Sequence, residues 1–268
     1  MNVRHVIAAL LAACSFGAAA QAAQQVVDIP SRPGVTERAL VLRPAAAPTS
    51  TVILLTGGSG RVGIYNNGSL QNGGNFLVRS RELFQQHGHA VLVLDTPSDH
   101  SSPPFLNGEF RASPEHAADL AAAIAWARQQ FGVPVWVIGT SRGTHSAALA
   151  ATALVPPQAP DGVVLTSSIL VRSPPRAPTH LPGVQELDWS RAQMPVLVVH
   201  HAQDACQATP PSQLPQLMGK LVPARSALLT YEGGKADGDP CEPWHHHGFN
   251  GLDEKVVADI SAWIGSRK

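Results

Sequence analysis

Uninterrupted apolar runs alternate along this chain with stretches of helical period. Residues 51–55 form a continuous β-branched and aliphatic run that stops at Thr56-Gly57-Gly58-Ser59-Gly60, and similar runs recur at 90–94, 135–138, 163–165, 196–199 and 227–230. A strand apolar at every position has to be covered on both faces, so these runs predict a mostly parallel sheet. Two shorter runs, 26–29 and 39–42, flank the turn signal Pro33-Gly34 and predict an opening antiparallel hairpin. Between the runs, 76–87 predicts a helix ended by Gly88. Ser113-Pro114 caps and opens a second, which continues through Leu120 and Ile124 to Gly132. A third follows Ser141 through small residues to Leu154, and Val256, Val257, Ile260, Trp263 and Ile264 mark one face of a last helix. Strands alternating with helices predict an α/β class with helices on both faces of the sheet. Residues 168–194 are Pro-rich and poorly periodic, which predicts a short cap or loop near the site rather than a lid domain.

The first residues change the domain picture. Arg4-His5 precedes the apolar stretch 6–13, too short to span a bilayer, and Ala20-Gln21-Ala22 offers a small-residue cleavage site. Residues 1–22 therefore read as an export signal and 23–268 as one domain, with no internal repeat and no low-complexity linker. Leu11-Ala12-Ala13-Cys14 resembles the lipobox that would carry a lipid anchor on Cys14, but the downstream cleavage site competes with it. The expected product is cleaved, soluble, and periplasmic or secreted, with no stable membrane insertion. Lys plus Arg equals Asp plus Glu at 19 each, without a run of like charge, so the chain carries no footprint for nucleic acid or an acidic membrane surface. Beyond the signal, two cysteines remain, Cys206 and Cys241, and an even count in an oxidising compartment predicts a disulfide.

The run 135–138 leads directly into Gly139-Thr140-Ser141-Arg142-Gly143 and then a helical stretch. A G-x-S-x-G motif between a buried strand and a helix is the setting in which a serine hydroxyl is exposed on a sharp turn as a nucleophile. Such a hydroxyl needs a histidine base and an acid to orient it, and in this arrangement the chain order is serine, acid, histidine. The late run 196–199 leads into His200-His201-Ala202-Gln203-Asp204, making Asp204 the candidate acid, with Asp95 and Asp99 after an earlier strand as fallbacks. The base falls within His245-His246-His247, between the last strand and the last helix; we take His247, with His246 second. For the oxyanion, one donor is the backbone N–H of Arg142, and the second is assigned to Gly58 in the glycine-rich loop after the 51–55 run. A Cys206–Cys241 bridge would tie the acid loop to the histidine loop.

These residues carry a resemblance to the α/β-hydrolase superfamily, and specifically to exported bacterial serine hydrolases similar to dienelactone-hydrolase-like enzymes. The matching stretches are Thr56 to Gly60, Gly73-Gly74-Asn75-Phe76-Leu77-Val78-Arg79, Gly139 to Thr144, His200 to Cys206, Asp239-Pro240-Cys241 and His247-Gly248-Phe249. The resemblance implies a mostly parallel central sheet without a large lid, and a base at the histidine before Gly-aromatic, His247. One departure is Thr56, where many members carry a histidine.

The activity expected is hydrolysis of a small carboxylic ester through an acyl-enzyme on Ser141, with no cofactor and no metal. A peptidase or amidase would use the same triad. A metal-binding periplasmic protein is a different class, drawing on His200, His201, Asp204, Cys206, Cys241 and the three histidines. Arg142, with Arg61 and Arg79 on nearby loops, also suggests a substrate bearing a carboxylate.

Overall fold

The β-branched content of the apolar runs is expressed as eight strands in one sheet. In the computed structural model, which describes residues 23–173 and 181–267, these are β1 (Ala23–Arg32), β2 (Val35–Arg43), β3 (Ser50–Leu55), β4 (His89–Pro97), β5 (Val135–Thr140), β6 (Gly162–Thr166), β7 (Val196–His201) and β8 (Ser226–Tyr231). Their order across the sheet is β1-β2-β4-β3-β5-β6-β7-β8. The β1–β2 and β2–β4 pairings are antiparallel, and every pairing from β4 through β3 to β8 is parallel. The export signal and the Cys14 lipobox lie outside the described residues. Among the described residues, no helix is long and apolar enough to cross a membrane.

Among the described residues seven α-helices flank the sheet: α1 (Phe76–Arg79), α2 (Arg81–Gln86), α3 (Gly108–Arg111), α4 (Pro114–Phe131), α5 (Gly143–Ala153), α6 (Leu214–Met218) and α7 (Asp253–Gly265). Alternation of side chains along each strand divides the core in two. Ile53, Leu55, Val135 and Val137 pack with Leu120, Ile124, Ala147 and Ala151 of α4 and α5. Val52, Leu54, Trp136 and Ile138 pack with Phe76, Phe84, Val257 and Ile260 of α1, α2 and α7 on the other face. Double coverage is why these strands show no polar alternation.

The helix expected over 76–87 is two helices broken at Ser80. Both Ser80 Oγ (3.0 Å) and the preceding Arg79 Nε (2.7 Å) reach Asp253 Oδ1 at the start of α7, and this pull on successive residues interrupts the helix. The helix α4 runs as expected: Ser113 caps it by accepting from His116 N, and left-handed Gly132 ends it. The stretch 168–194 contains two single 3-10 turns, at Val184–Glu186 and Trp189–Arg191, and no lid domain among the described residues. The short helices α3 and α6 have no counterpart in the sequence pattern, which is what helices of four and five residues provide too little period to show.

Candidate active site

Ser141 sits where β5 gives way to α5, with φ of +53°, a left-handed conformation rarely held by a residue with a Cβ. The turn is tight enough to require both flanking glycines. A Cβ on Gly139 would lie 2.3 Å from Gly143 O, and one on Gly143 would lie 2.2 Å from Leu55 O. Hydrogen bonds hold the strained residue: Ser141 N donates to Thr166 O (3.0 Å), while Thr144 N and Oγ1 donate to Ser141 O (2.9 and 2.6 Å).

Asp204 follows β7, and its side chain is fully buried. Its Oδ1 accepts from Cys206 N (3.0 Å), and its Oδ2 accepts from both Thr209 Oγ1 and His247 Nδ1 (2.9 Å each). Burial acts to raise the carboxyl pKa, but the hydrogen bond and charge of His247, with the Cys206 N–H, hold it below the usual carboxylate value. A carboxylate only accepts, so Nδ1 of His247 carries the proton and Nε2 keeps a lone pair. That Nε2 is buried and has no hydrogen-bond partner among the described residues. Both His247 and Ser141 line one cleft of about 390 Å³, walled by Gly57, Gly58, Asn75, Phe76 and Pro243.

The glycine-rich loop after β3 enters the same cleft. Gly57 packs so closely that a Cβ there would meet Ser141 Cβ at 2.8 Å, and Gly58 takes φ of +57°. Thr56, at the position where the resemblance expects histidine, donates Oγ1 to Gly60 O (2.9 Å) and closes the loop turn. The backbone N–H groups of Gly58 and Arg142 make no hydrogen bond among the described residues, which leaves both able to serve as donors.

The three adjacent histidines separate clearly. His246 stacks on His201 (4.2 Å between centroids) with Nδ1 at 3.2 Å from Gln203 O, and only His247 meets Asp204. The fallback acids lie elsewhere. Asp95 accepts from Val62 N and Ile64 N, and Asp99 pairs with Arg32. Two further buried Ser–His pairs occur, Ser50–His89 (2.7 Å) and Ser146–His116 (2.8 Å). Among the described residues the other ring nitrogen of each has no hydrogen-bond partner, so neither imidazole is backed by an acid there.

The cysteines are joined as expected in a Cys206–Cys241 disulfide with Cα atoms 4.6 Å apart. The bridge removes both thiolates from any metal set, while His200 and His201 turn their Nε2 atoms to Thr209 O and Gly233 O (2.9 Å each). Among the described residues no three His, Cys, Asp or Glu side chains converge to hold a metal.

Two supporting residues escaped the sequence reading, and a third was given a different role. Thr209 bonds Asp204 and approaches His247 Nδ1 (3.3 Å); Ser167, with φ of +46°, donates to His247 O (2.6 Å). Arg79, grouped earlier with arginines that would face a substrate carboxylate, instead clamps the histidine loop. It donates to Pro243 O (3.1 Å), Gly248 O and Asp253, leaving it occupied. A threonine five residues after an acid and a serine just after a strand carry no spacing signature, so neither could be singled out.

No family model matches the chain, and no curated protein sequence matches it. Solved structures do. The chain is similar to the Pyrococcus furiosus esterase Pf2001 at 13% identity and a TM-score of 0.65, over 91% of this chain and 93% of that one. It is also similar to XC6422 of Xanthomonas campestris, an α/β serine hydrolase without a lid (15%, TM-score 0.56, 92% and 93%). The esterase domain of a Rhodothermus marinus protein aligns at 17% and 0.58, over 90% and 97%. The fold is thus the α/β-hydrolase fold in its lid-less form.

Proposed function

We propose that this protein is a serine hydrolase that cleaves small carboxylic esters, with Ser141 as nucleophile, His247 as general base and Asp204 as the acid that orients it. The observation that carries this reading is the Asp204–His247 hydrogen bond of 2.9 Å, with the free Nε2 of His247 buried in the cleft that Ser141 lines. In the reaction, Nε2 takes the Oγ proton as Oγ attacks the ester carbonyl. The N–H groups of Arg142 and Gly58 receive the oxyanion, and the imidazolium returns its proton to the departing alcohol. Water then repeats the sequence on the acyl-enzyme. The residues supply every proton and charge in this scheme, so it draws on no cofactor. The esterases of the same fold support the ester as the bond cleaved. Export to the periplasm or medium fits the disulfide, which persists in oxidising compartments.

The test is a fluorophosphonate probe with the adduct located by mass spectrometry, on wild type and on Ser141→Ala and His247→Ala. Labelling at Ser141 that both variants lose is the expected result. A folded wild type that stays unlabelled refutes the mechanism.

A further inference from the structure

Every carbonyl of the loop after β3, from Thr56 to Gly60, has a hydrogen-bond partner. Gly57 O accepts from Gly60 N and Ser59 O from Leu106 N (3.0 Å each), and Gly60 O accepts from Thr56 Oγ1 (2.9 Å). The other two, Thr56 O and Gly58 O, both face one atom, Nη2 of Arg111 (3.4 Å each). These two carbonyls bracket the Gly57–Gly58 peptide, whose N–H is the donor proposed for the oxyanion. The same peptide lies against the nucleophile, since a Cβ on Gly57 would meet Ser141 Cβ at 2.8 Å.

Arg111 closes α3, is 2% exposed, and does not line the Ser141 cleft, so it reaches the loop from behind. Its Nη1 donates to Ser146 Oγ of α5 (2.7 Å), which also meets His116 Nε2 of α4 (2.8 Å). One guanidinium thus ties the loop to the helix that begins two residues after Ser141. Gly60 carries the imprint of this packing: it takes φ of +81°, and a Cβ there would stand 3.0 Å from Arg111 Nη2.

Removing a charge from water is costly, and a buried cation is ordinarily neutralised by an acid. Arg111 has only neutral oxygens as partners among the described residues, and the stretches 1–22 and 174–180 contain no Asp or Glu. Burial, then the neighbouring charge of Arg142, pushes the guanidinium down to about 9, so it remains a cation at neutral pH. A buried charge without a counter-ion acts on its surroundings with far less screening than in water.

We propose that Arg111 is a positioning residue: through the two flanking carbonyls it fixes the Gly57–Gly58 peptide, and its charge favours the oxyanion that forms at Ser141. The role rests on the hydrolase reading above. Arg111 touches no substrate; it holds a donor in place before the charge develops, which is what lets such a donor act without reorganisation.

The experiment measures kcat, KM, the rate of fluorophosphonate labelling and Tm for wild type, Arg111→Met, Arg111→Lys and Ser146→Ala. Arg128→Met is the control, because Arg128 also donates to backbone carbonyls, Pro157 O and Ala159 O, but lies outside the cleft. We expect Arg111→Met to lower kcat and labelling together by about 10–100-fold, less than the roughly 10²–10³-fold loss from deleting an oxyanion donor, with KM within about threefold. Arg111→Lys, which returns the charge, should regain at least about threefold of that loss, and Ser146→Ala, which withdraws the anchor alone, should lower kcat about threefold or more. A folded Arg111→Met with the kcat and labelling rate of wild type overturns the role, as does a change confined to KM or an equal loss in Arg128→Met. Where Arg111→Met does not fold, Ser146→Ala decides: an unchanged kcat overturns the role. A wild type that neither labels nor turns over any ester removes the hydrolase reading and the role with it, whereas an active wild type matched by its variants removes the role alone.

Discussion

The Asp204 carboxylate serves three donors at once, and that sharing sets what single substitutions should do. Replacing it with asparagine would present an N–H where His247 needs an acceptor and favour the wrong tautomer. We expect Asp204→Asn to lower kcat by roughly 10⁴-fold with the fold retained. Thr209 acts through Asp204 rather than on substrate, so Thr209→Val should cost about tenfold in kcat. Thr209→Ser should restore most of that loss, a rescue that a purely packing role would not give. His246→Ala is expected to stay within about threefold of wild type, against the roughly 10²–10⁴-fold loss of a general base. Steady-state kinetics on one ester checks all three, and a His246→Ala loss as large as that of His247→Ala would reverse the assignment.

Elements meet at the candidate active site with no slack. The Ser141 turn is squeezed between β3 and α5, where a Gly143 Cβ would sit 2.2 Å from Leu55 O. Both groups are backbone, so neither can swing aside, and Gly143→Ala should destabilise the fold by at least about 3 kcal/mol, the upper range for overpacking. Thermal melts or loss of soluble protein would register it. The disulfide works between loops: Cys206 N donates to Asp204 and Cys241 lines the cleft, across a sequence separation of 35. In the loop-closure model a bridge of that span contributes about 3–4 kcal/mol. Converting both cysteines to serine should lower Tm accordingly and also slow Ser141 labelling. Unchanged Tm and unchanged labelling would mean the bridge holds neither loop.

Across the whole molecule, burial of neutral imidazoles makes stability depend on pH. Burial lowers the pKa of His89 and His145 to about 4 and of His116 to about 3, against about 6.5 in an unfolded chain. Each of these groups has its folded pKa below its unfolded one, so the unfolded chain binds more protons in between. Stability is then complete above about pH 6.5 and is lost as pH falls towards 4 and 3. Asp204, also depressed, adds a loss in the same direction at lower pH, as its carboxylate protonates. Glu37 opposes them, because its pKa is raised and its contribution is lost as pH rises. His200 and His201 are depressed as well, so five imidazoles act in one direction and Tm is expected to fall as pH drops from about 6.5 to 4. His89→Gln, which keeps a partner for Ser50 without titrating, should flatten the curve; calorimetry across that range tests it.

The parallel strands, the flanking helices and the G-x-S-x-G turn were legible because each is written in neighbouring residues: apolar runs, caps, and glycines at fixed spacing. The order of Ser141, Asp204 and the histidine run was legible for the same reason, since each follows a strand that a run of Val, Leu and Ile announces. Which histidine meets Asp204 was carried only by the resemblance, which pointed to His247; the local pattern left the choice open, because adjacent loop side chains diverge according to how the loop is held, here by Arg79, Ser167 and the disulfide. The break at Ser80 depends on Asp253, 173 residues away, and no local period records such a contact. Arg111 gives the sharpest contrast. In sequence it is an unremarkable charge at the end of a short helix, and only packing against Thr56, Gly58 and Ser146 turns it into a buried cation without a counter-ion among the described residues. Local pattern specifies elements; burial and long-range hydrogen bonds, which arise when distant elements share a core, specify what the side chains do.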